Sequence, residues 1–228
     1  MITLHGIRKS YGPNLILRGV DLAIDEGEFI SIMGASGSGK STLLNVIGGL
    51  DTDFEGTATI AGHDVKHLSD PAMSAFRNTT IGFVFQSFHL LPHLSCGQNV
   101  ALPAYFNTRL SESEIDARVA DSLGRVGLLH KRREFPLHLS GGERQRIAIA
   151  RALFNKPKVI LCDEPTGALD SKTGTQILEL FQELNKAMGV TLVVVTHEHG
   201  VSRRADRVIR IEDGRIVVAT AAAAEVTL

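Results

Sequence analysis

Gly34-Ala35-Ser36-Gly37-Ser38-Gly39-Lys40-Ser41 places glycines, a lysine and a hydroxyl at the spacing of a loop that cradles phosphates. Glycines let the backbone turn tightly, so that several N–H groups converge on a β-phosphate at the positive end of the following helix. Lys40 supplies a point charge between β- and γ-phosphates, Ser41 offers a hydroxyl to Mg²⁺, and Thr42 completes the phosphate-facing set. Alone, this stretch could also be a glycine-rich turn that merely caps a helix. Two further clusters follow it in order. Ser140-Gly141-Gly142-Glu143 opens an Ala/Ile/Arg/Leu run whose serine reads as an N-cap and whose first amides and dipole suit an anion. Val159-Ile160-Leu161-Cys162 ends in Asp163 and Glu164, one carboxylate able to hold a Mg²⁺ shell and the next placed to polarise a water.

The elements that must carry these groups are legible as patterns. Phe29-Ile30-Ser31-Ile32-Met33 is a buried strand feeding the phosphate loop, and Thr42 to Ile47 is the helix that leaves it. Val159 to Cys162 and Thr191 to Thr196 are continuous apolar runs of the kind buried on both faces of a parallel sheet, the second ending at His197. Residues 1–33 alternate apolar and polar positions around turns at Tyr11-Gly12-Pro13-Asn14 and Asp25-Glu26-Gly27, which predicts antiparallel strands joined by a further strand over 56–62. From about 88 to 155 the pattern is helical, with Ser111-Glu112-Ser113-Glu114 as an N-terminal cap. Strands and helices alternate after 157, and a last hairpin turns at Asp213-Gly214. The alanine-rich stretch 219–228 carries no motif and is expected to be poorly ordered.

The ordered set resembles the nucleotide-binding subunits of ABC transporters over nearly the whole chain. In that family the stretches above are the Walker A loop, the signature motif and the Walker B strand with its catalytic glutamate. The resemblance implies that Gln86 in Phe85-Gln86-Ser87 is the Q-loop residue, which also reaches the Mg²⁺ shell with Ser41 and Asp163. It makes Gly167-Ala168-Leu169-Asp170 the D-loop, His197 the switch histidine and Tyr11 the ring that stacks on adenine. Phe83 to Pro92 and Asp163 to Ser171 are worded like the lipoprotein-release and macrolide-export (LolD/MacB-like) group. Glu143 stands where the family more often has glutamine, and Cys96-Gly97-Gln98-Asn99-Val100 is an unusual version of its segment.

The implied fold is an α/β P-loop NTPase: a RecA-like core with a mainly parallel sheet, an N-terminal antiparallel β subdomain and an inserted α-helical subdomain. In one domain over 1–228, about 1–87 and 157–218 would be core, about 88–156 the helical subdomain with the signature, and 219–228 a tail. The implied activity is ATP hydrolysis with Mg²⁺, in a head-to-tail homodimer whose two ATP molecules lie between the Walker A of one subunit and the signature of the other. The energy would drive export or extraction by a transmembrane permease at the cytoplasmic face of the inner membrane, with Phe88, Leu90, Leu91 and Leu94 as docking residues.

Composition sets limits of its own. A length of 228 residues suits one ATPase unit, and a net charge of −1 without a basic tract gives no support for nucleic-acid binding. No stretch approaches the roughly 20 apolar residues of a spanning helix, and the opening residues do not form a secretory signal, so the expected place is the cytosolic side. Cys96 and Cys162 lack metal-ligand spacing, and His63, His67, His89, His93, His130 and His138 fall in expected loops and surface helices. A DNA-repair ATPase head shares the nucleotide chemistry but divides its halves with a long coiled coil, whereas positions 40 and 140 are only about 100 residues apart here. A subunit that signals to a membrane complex without transport would carry the same residues.

Overall fold

The computed structural model describes residues 1–106 and 110–221. Its N-terminal part is a four-stranded antiparallel sheet in the order β2-β1-β4-β5, with β1 Ile2–Tyr11, β2 Asn14–Ile24, β4 Glu55–Ile60 and the short β5 His63–Asp64. The expected turn at Gly12-Pro13 joins β1 to β2. One strand of this stretch departs from the expectation: β3, Phe29–Met33, lies inside the second sheet and pairs in parallel on both sides. All five of its residues are buried, and such a strand needs cover on both faces, which a half-exposed antiparallel sheet does not give.

That second sheet has six strands in the order β10-β9-β3-β8-β7-β6, all parallel except β10. Its members are β6 Ile81–Phe85, β7 Val159–Asp163, β8 Thr191–Thr196, β9 Arg207–Glu212 and β10 Arg215–Ala221. Alternation sorts the side chains into two cores. Ile160, Cys162, Leu192 and Val194 face one core with the helices of the inserted part, while Val159, Leu161, Val193 and Val195 face the other with the antiparallel sheet. Helix α1, Lys40–Ile47, buries Leu43, Leu44, Val46 and Ile47 in the second core; α2, Asp70–Thr80, adds Met73 and Phe76.

The inserted part is helical as expected. It contains α3 Cys96–Ala101, α4 Glu112–Arg125, α5 Gly141–Leu153 and three short 3₁₀ turns. Capping boxes start all three helices: Ser95 with Gln98, Ser111 with Glu114, and Ser140 with Glu143. The unusual Cys96 to Val100 stretch has a plain role: buried Asn99 donates to the carbonyls of Leu91, Leu94 and Ser95 and accepts from the Leu91 amide, fastening the preceding loop. Helices α6, Ser171–Met188, and α7, His199–Ser202, complete the fold. The C-terminal boundary also differs from the expectation, because Ala219, Thr220 and Ala221 pair with Ile209, Val208 and Arg207 and so extend β10. The rest of the alanine-rich tail, 222–228, lies outside the described residues.

Candidate functional site

Parallel register brings the chemistry to one edge. Met33 pairs with Thr196, Asp163 with Val195 and Phe85 with Asp163, so the chain leaves β3, β6, β7 and β8 at the same end of the sheet. In open α/β sheets this carboxyl edge is where ligands bind. A cleft of about 900 Å³ opens there, lined by residues that include Tyr11, Ser36, Gly37, Gly39, Lys40, Ser41, Thr42, Gln86, Asp163, Glu164 and His197.

The loop over 34–41 is fixed by close packing. Gly37 and Gly39 have φ of 79° and 103°, and a Cβ on Gly34 would lie 2.2 Å from the Ile211 carbonyl oxygen and 2.6 Å from Ser38 Oγ. No side chain caps α1 at Gly39, which leaves its N-terminal amides and dipole available to an anion. Buried Lys40 folds Nζ back onto the carbonyls of Gly34 and Ala35, at 2.9 Å each, so an ammonium already stands inside the loop.

Beside it, Ser41 Oγ donates to Asp163 Oδ1 at 3.2 Å. Burial pushes the Asp163 carboxyl above its usual range, against the Ser41 hydrogen bond and with help from the neighbouring Glu164 charge. A hydroxyl and one carboxylate, with the Gln86 amide on the same cleft, are hard oxygen donors suited to Mg²⁺, which keeps phosphate oxygens and waters as its other ligands. No group of three or more His, Cys, Asp or Glu side chains able to hold a metal ion occurs among the described residues.

Glu164 is held under constraint. Its φ is 48°, a left-handed value rare outside glycine, and its amide donates to the Val195 carbonyl. Oε1 lies 2.9 Å from His197 Nδ1, while Oε2 is buried without a hydrogen-bond partner. A carboxylate oxygen in that condition has unspent capacity to accept a proton or bind water. His197 is exposed at the end of β8, and its side chain reaches across the cleft mouth to this carboxylate.

Ser140, Gly141, Gly142, Glu143 and Asp170 do not line this cleft. They form a second cluster: a Cβ on Gly141 would meet Leu169 at 3.2 Å, one on Gly142 would meet Thr173 at 2.4 Å, and Asp170 caps α6 through Thr173. Glu143 accepts the Ser140 amide at 2.8 Å, and that backbone donor holds its carboxyl below the ordinary range. Glutamate and glutamine serve the capping box equally, which explains why the departure at 143 leaves the helix start intact.

Several contributors were not among the site residues expected from the sequence. Ile16, Phe85, Ser87 and His89 also line the cleft, His89 among the histidines to which the sequence assigned no chemistry. Phe88 and His89 both have positive φ, 57° and 48°. They are held by Arg151 of α5, whose Nη2 donates to the Phe88 carbonyl at 2.8 Å and Nη1 to that of His89 at 2.6 Å. Burial draws the Arg151 guanidinium below its usual value, and Arg144 lies over the Phe88 ring. Gln145, fully buried, donates to the Pro165 carbonyl at 2.6 Å and the Phe85 carbonyl at 3.4 Å. Helix α5 thus clasps the segment around Gln86 on several sides. Replacing Arg151 by alanine should cost about 2–3 kcal/mol, from two charge-assisted bonds and a strained turn left unsupported. Thermal unfolding should show a Tm lower by about 5–10 °C, with lysine restoring part of the loss.

Comparison with known proteins agrees with this geometry. A family model described as ABC transporter matches residues 17–167. The chain belongs to the ABC transporter family. It is an ATP-binding, ATP-hydrolysing subunit of such a transporter. This ATP-binding cassette is 44% identical over 216 residues to the lipoprotein-releasing system ATP-binding protein LolD of Bacteroides thetaiotaomicron, covering 95% of this chain and 99% of that one. It is 48% identical over 221 residues to the macrolide export ATP-binding/permease protein MacB of Rhodopirellula baltica, covering 95% of this chain but only 32% of that longer protein. Among solved structures, the dimeric post-hydrolysis cassette MJ0796 bound to ADP and Pi superposes with a TM-score of 0.87 at 44% identity, covering 97% of this chain and 99% of that one.

Proposed function

We propose that this cassette is the homodimeric motor of an export or extraction system of the LolD/MacB-like group, acting at the cytoplasmic face of the membrane on a transmembrane permease. The observation that carries the reading is the split of the site: phosphate loop, Asp163, Glu164 and His197 share one cleft, whereas Ser140 to Glu143 lie with Asp170 in a separate cluster. A second copy turned head to tail supplies the missing half, in keeping with the dimeric MJ0796 cassette.

Within that arrangement Lys40 and the α1 amides take the β- and γ-phosphates, and the Tyr11 ring takes the base. Mg²⁺, held by Ser41, Asp163 and Gln86, would supply charge neutralisation on the phosphates. Glu164 orients the attacking water and accepts its proton, with His197 fixing the carboxylate through Nδ1. Loss of the shared γ-phosphate removes contacts from both subunits, so the dimer opens. The segment clasped by α5 carries that opening to the helical subdomain, here taken as about 88–156.

No helix among the described residues is long and apolar enough to cross a membrane. Of the docking residues expected from sequence, Leu90 packs on the core, the Phe88 ring lies beneath Arg144, Leu94 is half-buried and Leu91 is exposed. A better seat is the groove of about 430 Å³ between core and helical part, whose lining includes Leu50, Phe83, Leu102, Pro103 and Phe106. Phe106 is 75% and Leu50 49% exposed, which fits a groove that receives a short permease helix. Leu50→Asp with Phe106→Asp should release the subunit from membranes and abolish stimulation by the permease, while ATP affinity of the isolated chain stays within about twofold. Membrane fractionation and a nucleotide titration check both halves; retention on the membrane would refute this seat.

A further inference from the structure

Tyr11 does not stand free at the cleft mouth. Its hydroxyl donates to Asp51 Oδ2 at 2.8 Å, and the other oxygen of that carboxylate accepts from Lys9 Nζ, also at 2.8 Å. Lys9 lies two positions before Tyr11 on β1 and is only 5% exposed, an uncommon place for an ammonium. It is satisfied there by Asp51, by the Asp53 carbonyl at 2.5 Å and by the Asp53 carboxylate at 3.3 Å. The same Nζ stands 4.9 Å from the centre of the Tyr11 ring. The ring is therefore tied at its hydroxyl and faced by a cation, yet it keeps 47% of its surface exposed beside the phosphate loop.

Asp51 reaches this position from the turn that follows α1. The amides of Leu50 and Asp51 both donate to the Asn45 carbonyl, which folds the chain back just beyond the end of α1. Helix α1 and the turn that closes it thus run from Lys40 in the phosphate loop to the carboxylate that anchors the Tyr11 hydroxyl. The distance between the phosphate seat and the aromatic ring is set by that helix and its closing turn.

We propose that Lys9 and Asp51 are positioning residues for base recognition: they lock the Tyr11 ring at a fixed distance from the phosphate loop, so that a purine nucleoside triphosphate is gripped at both ends. This rests on the reading of Tyr11 as the residue that faces the base. An untethered ring must be immobilised each time a base stacks, and ordering an aromatic side chain in advance removes that cost from binding. The tether has no contact with the phosphates, so its effect is confined to ligands that carry a base.

The chain offers a direct readout, because it has no tryptophan and only two tyrosines, Tyr11 and Tyr105. In a Tyr105→Phe background all tyrosine emission comes from Tyr11. ATP should quench that emission, and inorganic tripolyphosphate, which lacks a base, should bind without quenching. Asp51→Asn and Lys9→Met in this background should weaken ATP about five- to tenfold while leaving tripolyphosphate affinity unchanged. Tyr11→Phe, read by calorimetry, removes only the hydroxyl and leaves Lys9 paired with Asp51; it should weaken ATP about threefold, again with tripolyphosphate unaffected. This variant keeps the test decisive if either buried-pair variant fails to fold. Equal weakening of ATP and tripolyphosphate, or unchanged ATP affinity across the variants, would overturn the positioning role. ATP that binds without quenching Tyr11 would instead overturn the reading of Tyr11 as the base-facing residue.

Discussion

Glu164→Gln is expected to lower steady-state ATP hydrolysis about 10²- to 10⁴-fold while ATP still binds. The amide keeps the shape of the side chain, and its oxygen can still meet His197 Nδ1 as Glu164 Oε1 does at 2.9 Å. What disappears is the second carboxylate oxygen, buried without a partner in the present structure, and with it the group that can take a proton from water. The phosphate loop does not depend on Glu164, because Lys40 is held by Gly34 and Ala35 and α1 is uncapped at its start. Binding energy therefore remains while turnover stops, and the ATP-bound dimer should accumulate. Size-exclusion chromatography with ATP and Mg²⁺ should show a dimer that the parent chain forms only briefly. Turnover near the parent rate would remove Glu164 from its assigned role.

The residues legible in the sequence were those whose environment is set by their neighbours in the chain. Ser111 and Ser140 declare their caps because the box closes within three residues, and Val159 to Asp163 declares a buried strand because its apolar run needs cover on both faces. Lys9, Asp51 and Arg151 declare nothing locally. Lys9 meets Asp51 across 42 positions and Arg151 meets Phe88 across 63, so their partners exist only after the sheets have formed. An alternating or helical pattern would show them as ordinary polar positions. The same limit explains β3, whose neighbours Val193 and Val208 come from distant segments, and Ala219 and Ala221, whose weak strand preference yields to pairing with β9.

Mixing a Lys40→Ala chain with a Ser140→Arg chain should recover ATPase activity that neither possesses alone. Lys40 belongs to the cleft and Ser140 does not, so each substitution damages a different half of the proposed composite site. In a head-to-tail heterodimer one site combines both defects, and the other pairs an intact phosphate loop with an intact signature. Random assortment makes half the dimers heterodimers with one good site in two, so recovery should approach about a quarter of the parent activity if the sites fire independently. The mirror experiment separates composite sites from sites complete within one chain. A chain bearing both substitutions, mixed with excess over the parent, should suppress parental activity, because every site in the mixed dimer then lacks one half. If each chain held a whole site, the parent subunit would keep its activity in that dimer. Arginine at 140 also removes the hydroxyl that accepts the Glu143 amide, a loss of about 1 kcal/mol at the start of α5, so melting curves must show both chains folded. Heterodimers that form yet show neither recovery nor suppression would refute sharing of the site between subunits.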